Sequence, residues 1–250
     1  MLRVLVGTIL VAAQIPVAAV SGSDARSAVD AFLSHLGHAN VADLVVDQTL
    51  TLFDPAGRHP QSSGEQRVYM KLPRRQRVEQ MIDGQKEVRL TVGTRVWVRG
   101  ADGKTFEAPP AGTRDATQLL VPLQRTGADL LAEWKVLGVR DDVSYVTRAG
   151  GRSVTVIGAR PGERDAPSVW LDAEYGVVRV IRRERLASRE GLVDLAFGEH
   201  RPLANGFYFP HRQEAFVDGK LVVLVVVRSV AVNTGLAEDL FDPAALRRGR

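Results

Sequence analysis

The residues able to do chemistry are few, and they do not assemble into a recognisable site. There are five histidines and no cysteine in the 250 residues. His35 and His38 stand three apart in AVDAFLSHLGH, a spacing that places two imidazoles on one helical face and can ligate a metal. No carboxylate follows at ligand spacing, so the pair reads as a polar helix face. His59 lies in GRHPQSSG, His200 in GEHRP and His211 in FPHR, all loop or strand-end contexts. Asp141 and Asp142 are adjacent, and adjacent strand residues point to opposite faces, so they read as a turn and not a cation site. No G-x-S-x-G, H-E-x-x-H, Walker A or G-x-G-x-x-G pattern occurs. The absence of cysteine excludes disulfides, thiolate metal sites, a cysteine nucleophile and a lipid-modified N-terminal cysteine. The residues therefore point away from an enzyme and call for no metal and no cofactor. The net charge of +4 comes from arginines scattered among acids. A nucleic-acid footprint would be a concentrated basic stripe, and none is present.

Apolar residues carry the stronger signal. The segment Lys220–Asn233 reads KLVVLVVVRSVAVN, with seven consecutive apolar residues from Leu221 to Val227. A helix crossing a bilayer needs about 20. The β-branched composition argues for a strand instead. A half-buried strand alternates apolar with polar, whereas this one is apolar on both faces. Either protein covers both faces, or the outer face packs on the N-terminal helix while the inner face lines a hydrophobic cavity.

The elements that would frame such a strand follow from periodicity. Arg3 precedes an apolar stretch from Val4 to Ile15, which Pro16 and small residues end. This is the form of a secretory signal peptide. It divides the chain into a signal segment, 1–19, and an exported soluble domain, 20–250, starting at Val20 or Gly22. Asp24 to Gly37 is expected to form a helix, because Val29, Phe32, Leu33 and Leu36 fall on one face. Then DLVVDQTLTLFD places Leu44, Val46, Gln48, Leu50 and Leu52 on one side of a strand, and Gly57–Gly64 reads as a loop. QRVYMKL, KEVRLTVG and TRVWVRG continue an antiparallel meander. Thr113–Trp134 shows no alternation and suggests two short helices broken near Pro122 and Gly127. Strands resume near Lys135 and run to Asn233, with turns at Ala149–Gly151, Asp172–Gly176 and Val217–Lys220. The fold class is mainly β: about ten or eleven strands in one curved antiparallel sheet, with an N-terminal helix and a helical insert. A sheet that wide must curl as it grows.

The order of these pieces resembles the bacterial outer-membrane lipoprotein carrier (lipoprotein-sorting, LolA/LolB-like) superfamily, and it is similar to related periplasmic stress sensors. The features carrying the resemblance are the signal segment and first helix, GEQRVYMKLPRRQRVEQ, VGTRVWVRGADGKT, NGFYFPHRQEAFVDGK and VAVNTGLAEDLFDP. It implies an unclosed half-barrel whose helices form a lid over an apolar cavity that holds acyl chains. Phe32, Leu36, Leu50, Leu72, Leu90, Trp97, Leu119, Leu120 and Val225 are then the expected cavity residues. In the family a basic residue precedes the proline of the second motif and an aromatic follows; here Leu72 precedes Pro73 and Gln76 takes the aromatic's place. Arg74, Arg75 and Arg77 are the expected partner contacts. The resemblance implies a periplasmic monomer that carries lipoprotein or lipid ligands between an inner-membrane exporter and an outer-membrane acceptor, in outer membrane biogenesis. The alternative is a non-enzymatic envelope-stress sensor or interaction domain of the same fold.

Overall fold

The computed structural model describes residues 24–37, 39–108, 120–122, 125–186, 189–204 and 206–249. Helix α1, Ala25–Leu36, begins where the sequence provides a cap: the Asp24 carboxylate accepts from the Arg26 amide at 3.2 Å, and the helix ends at Gly37. Its face of Val29, Phe32 and Leu36 is buried, each side chain contributing about 1.5–3 kcal/mol. Phe32 lies against Gly176. A Cβ on that glycine would come within 2.6 Å of the ring, and its φ of 83° is open mainly to glycine.

Thirteen strands follow: β1 Asp43–Phe53, β2 Pro60–Lys71, β3 Arg75–Ile82, β4 Gln85–Val92, β5 Arg95–Arg99, β6 Thr105–Ala108, β7 Ser144–Ala149, β8 Arg152–Ile157, β9 Ser168–Asp172, β10 Gly176–Leu186, β11 Arg189–Ala204, β12 Phe207–Val217 and β13 Lys220–Val232. They form one antiparallel sheet in the order β6-β5-β4-β3-β2-β1-β13-β12-β11-β10-β9-β8-β7. The sheet is not closed, since β6 and β7 are its two edges. The expected ten or eleven strands are thus thirteen among the described residues. β3 escapes a reading by alternation because two of its inner-face positions are Gln76 and Gln80, and β6 is only four residues long. The expected loop Gly57–Gly64 also gives way, at Pro60, to β2.

Helix α2, Gly127–Val136, starts with a capping box between Thr126 and Asp129. It packs on α1, and α1 packs on β8 and β9. The first of the two expected insert helices falls largely outside the described residues. Of those that are described, Leu120 and Val121 are buried in the same cluster as α1 and α2. That cluster reaches from Val78 on β3 to Leu171 on β9, so strands far apart in the sheet converge on the helices. This is the inner face.

The outer face of β2–β5 carries a second, smaller cluster. Val88, Leu90 and Trp97 lie beneath Leu236, Phe241 and Leu246 of the C-terminal segment, which comprises a 3-10 turn, Glu238–Phe241, and helix α3, Pro243–Arg248. Asp43 fastens that segment. One carboxylate oxygen accepts from the Thr234 amide (2.7 Å) and hydroxyl (2.9 Å); the other accepts from the amides of Gly235 (2.9 Å) and Leu236 (3.2 Å).

Candidate functional site

Because side chains alternate along a strand, the ladder registers decide what the inner face presents. Near α1 and α2 it is a dry core: Leu44, Val46, Val68, Met70, Phe207 and Phe209 are all buried there. Toward the other end of the strands its character changes. Gln213, Val225, Leu50, Gly64 and Ile82 lie opposite one another across β12, β13, β1, β2 and β3. Val225 is 9 % exposed, yet it is outside the packed core cluster. Leu50 is half-buried and also outside it. At Gly64 the main chain of β3 comes so close that a Cβ would lie 2.0 Å from the Met81 carbonyl oxygen, so only glycine fits.

The next row is a chain of amides. Gln48 donates to Gln66, Gln66 donates to Gln80 at 3.1 Å, and Gln80 donates to the Glu87 carboxylate at 3.2 Å. Farther along β10, Arg182 and Glu184 form an ion pair on the inner face with side chains only 4 % and 12 % exposed. Burial is the larger influence on Glu184 and lifts its carboxyl above the usual range, although Arg182 pulls the other way. Three buried atoms here have no hydrogen-bond partner among the described residues: Nη1 of Arg182, Oε1 of Glu184 and Nε2 of Gln213. Buried polar atoms are normally satisfied, so this half of the inner face has unmet hydrogen-bonding capacity beside apolar surface.

Of the residues expected to line a cavity, Phe32, Leu36, Leu72 and Leu120 lie in the inner core cluster, and Leu50 and Val225 lie on the amide-rich half of the same face. Leu119 is outside the described residues. Leu90 and Trp97 need correction. They pair with each other on the opposite side of the sheet, under the C-terminal helix, and take no part in an inner pocket. The three arginines also separate. Arg74 reaches Glu133 of α2 at 3.6 Å, an acid that Arg125 also pairs. Arg75 pairs with Glu238. Arg77, 5 % exposed, bonds Glu79 and the Leu240 carbonyl, so burial removes it as a partner contact. No sequence signal marked Arg182 and Glu184. Two charged residues at i and i+2 on a strand are ordinarily a solvated face.

A second cluster lies on the outer face. Tyr175 stacks on His200 with ring centroids 4.7 Å apart and packs beside Tyr208. The Arg152 guanidinium sits 3.9 Å from the Tyr175 centroid and bonds Asp172 and Glu174. Burial pushes His200 down to about 4; Asp172 opposes this, and Arg152 and His211 add to it. The free imidazole titrates near 6.5. Between those values the unfolded chain therefore binds more protons than the folded one, so acidification destabilises the protein. Allowing for the residual solvent contact of the ring, the expected loss is on the order of 2 kcal/mol from pH 6.5 to 4. Glu184, with its raised value, works in the opposite direction. Urea titrations of wild type and His200→Phe at several pH values isolate the imidazole, and a stability difference that does not change with pH would refute the assignment.

Among the described residues no helix is long and apolar enough to cross a membrane. No protein-family model matches the chain, and no curated protein matches it. Solved structures do share its architecture. A domain assigned to outer membrane lipoprotein sorting, from Vibrio parahaemolyticus, aligns with TM-score 0.57 at 14% identity over 90% of this chain and 100% of that one. A DUF1329 family protein from Desulfovibrio piger aligns with TM-score 0.58 at 12% identity over 90% and 100%. A LolA superfamily protein from Nitrosomonas europaea aligns with TM-score 0.53 at 12% identity over 89% and 99%. The chain therefore has the fold of the lipoprotein-sorting, LolA-like proteins.

Proposed function

We propose that this protein is a periplasmic carrier or binding protein for lipoproteins or other acylated ligands, which it holds by their acyl chains against the inner face of the sheet. The observation that carries this reading is the half-face around Val225. There, buried Val225 and half-buried Leu50 and Ile82 stand outside the packed core, next to buried Gln213, whose Nε2 has no hydrogen-bond partner among the described residues. A filled core would bring Val225 into the cluster and satisfy Gln213. An acyl chain would cover Val225, Leu50 and Ile82, and its polar linkage would meet the amide groups. The apolar segment Val4–Ile15 with Pro16 supports export, and the fold shared with a lipoprotein-sorting domain supports the ligand class. Such a carrier acts as a monomer, loaded at the inner membrane and unloaded at the outer one.

The test uses a fluorescent fatty acid and two neighbouring positions. Val225 faces inward, and Val226 faces outward at 39 % exposure. Val226→Asp is expected to fold and bind like wild type. Val225→Asp is expected to weaken binding at least tenfold. Val225→Phe, which adds volume without charge, should also fold and bind less tightly. If wild type shows no saturable binding and Val225→Phe is destabilised as in a filled core, the carrier reading fails and the protein is an interaction domain.

A further inference from the structure

On the outer face, away from the half-face proposed to hold lipid, the end of α3 overhangs a pocket of about 250 Å³. Its lining is Arg77, Lys86 and Arg99 with Val88, Leu246 and the main chain of the turn Gly100–Gly103. Three cations and no carboxylate line it. Arg77 is bonded to Glu79, but Lys86 makes no ion pair among the described residues. Arg99 donates from Nε to the Gly103 carbonyl at 3.2 Å, and no acid partners it there. Its guanidinium lies against Gly249, where a Cβ would come within 2.5 Å of Nη1. The exposed Arg247 and Arg248 end α3, and Arg248 pairs with Asp242 at 3.8 Å. Like charges gathered around a concavity repel one another, and they create a potential that draws in an anion. The end of a helix also attracts cations, but α3 has six residues and its last turn already carries Arg247 and Arg248.

We propose that this pocket is an anion site that takes a phosphate group, with Lys86 and Arg99 supplying the charge and Arg77 fixing the floor. A guanidinium and an ammonium can together grip a tetrahedral oxyanion, the first through paired N–H donors and the second as a point charge.

Phosphorus NMR with inorganic phosphate and sedimentation with vesicles of phosphatidylglycerol, each with phosphatidylcholine vesicles as control, test this and separate the two sources of such a group. Binding of phosphate alone identifies a free phosphoryl ligand, and binding of anionic vesicles identifies a lipid headgroup; either supports the site. In both, Lys86→Gln with Arg99→Gln is expected to reduce affinity at least tenfold. Lys86→Gln alone, a change at an exposed side chain that leaves the fold undisturbed, should reduce it severalfold. No binding to either probe, or equal binding by wild type and variants, overturns the proposal. Cations that merely cap α3 would leave binding absent and lower stability instead. Fatty-acid binding by the same variants should be unchanged, so this site and the inner face fail independently.

Discussion

Asp43→Ala is expected to lower stability by about 3–5 kcal/mol, because it strips four hydrogen bonds from one carboxylate and leaves main-chain donors of the Thr234–Leu236 turn without an acceptor. Asp43 is only 3 % exposed, so water cannot readily replace it. Burial alone would raise its carboxyl, but the bonds from Thr234, Leu236 and Gly235 outweigh burial and hold it below the usual aspartate range. The bound charge therefore stabilises the fold above the unfolded value and is lost as pH falls through the folded one. Asn at this position offers one acceptor where the native group offers two, so Asp43→Asn should fall between wild type and alanine. Urea unfolding followed by tryptophan fluorescence reads this directly, since Trp97 lies under the segment that Asp43 anchors. A loss below about 1 kcal/mol for the alanine variant would mean that the turn is held by its apolar contacts alone.

Arg182→Met should cost about as much, about 3–5 kcal/mol, by leaving Glu184 charged and alone in a buried setting. The informative variant is the double one. Arg182→Leu with Glu184→Leu removes both charges along with their desolvation, and should return stability to within about 1 kcal/mol of wild type or above it. If the double variant remains as unstable as the single one, the ion pair contributes to the fold in its own right. A single variant that loses almost nothing would show that water reaches the pair freely. Should the double variant be stable but bind a fluorescent fatty acid less well, the pair's unpartnered atoms are the part of the inner face that contacts ligand.

The strands with clean alternation could be read from the sequence, and those whose inner face is polar could not. Val29, Phe32 and Leu36 announced α1. The turns at Gly150–Gly151 and Asp218–Gly219 fall at glycines with positive φ, which is why they were legible. β3 was missed because its inward residues include Gln76 and Gln80, and Gln80 is held by Gln66 and Glu87 on the strands to either side, partners that its own sequence does not announce. Val225 could be named as two-faced but not assigned a face, because a run of apolar residues carries no parity. Leu90 and Trp97 were placed on the wrong side for a related reason: the sheet has apolar cover on both faces here, and the sequence does not say that the C-terminal segment folds back across β4 and β5. Arg182 and Glu184 gave no signal, since their burial is a property of the assembled sheet.

The order of the sheet has a consequence for how the molecule is made. β1 and β13 pair along its middle, joining Leu44 to Val232 and Leu52 to Val223. Every other ladder joins strands consecutive in sequence. The meanders β1–β6 and β7–β12 can each form from local contacts as they are synthesised, which is fast. They become one sheet only when the last strand arrives between them, and that closure carries the entropy of a loop most of the chain long. Until then β1 and β12 are bare edges in the middle of the future molecule, open to strands from any other copy. A chain stalled before Lys220 is therefore two sticky halves, and the valine run of β13 is the clasp that ends that exposure.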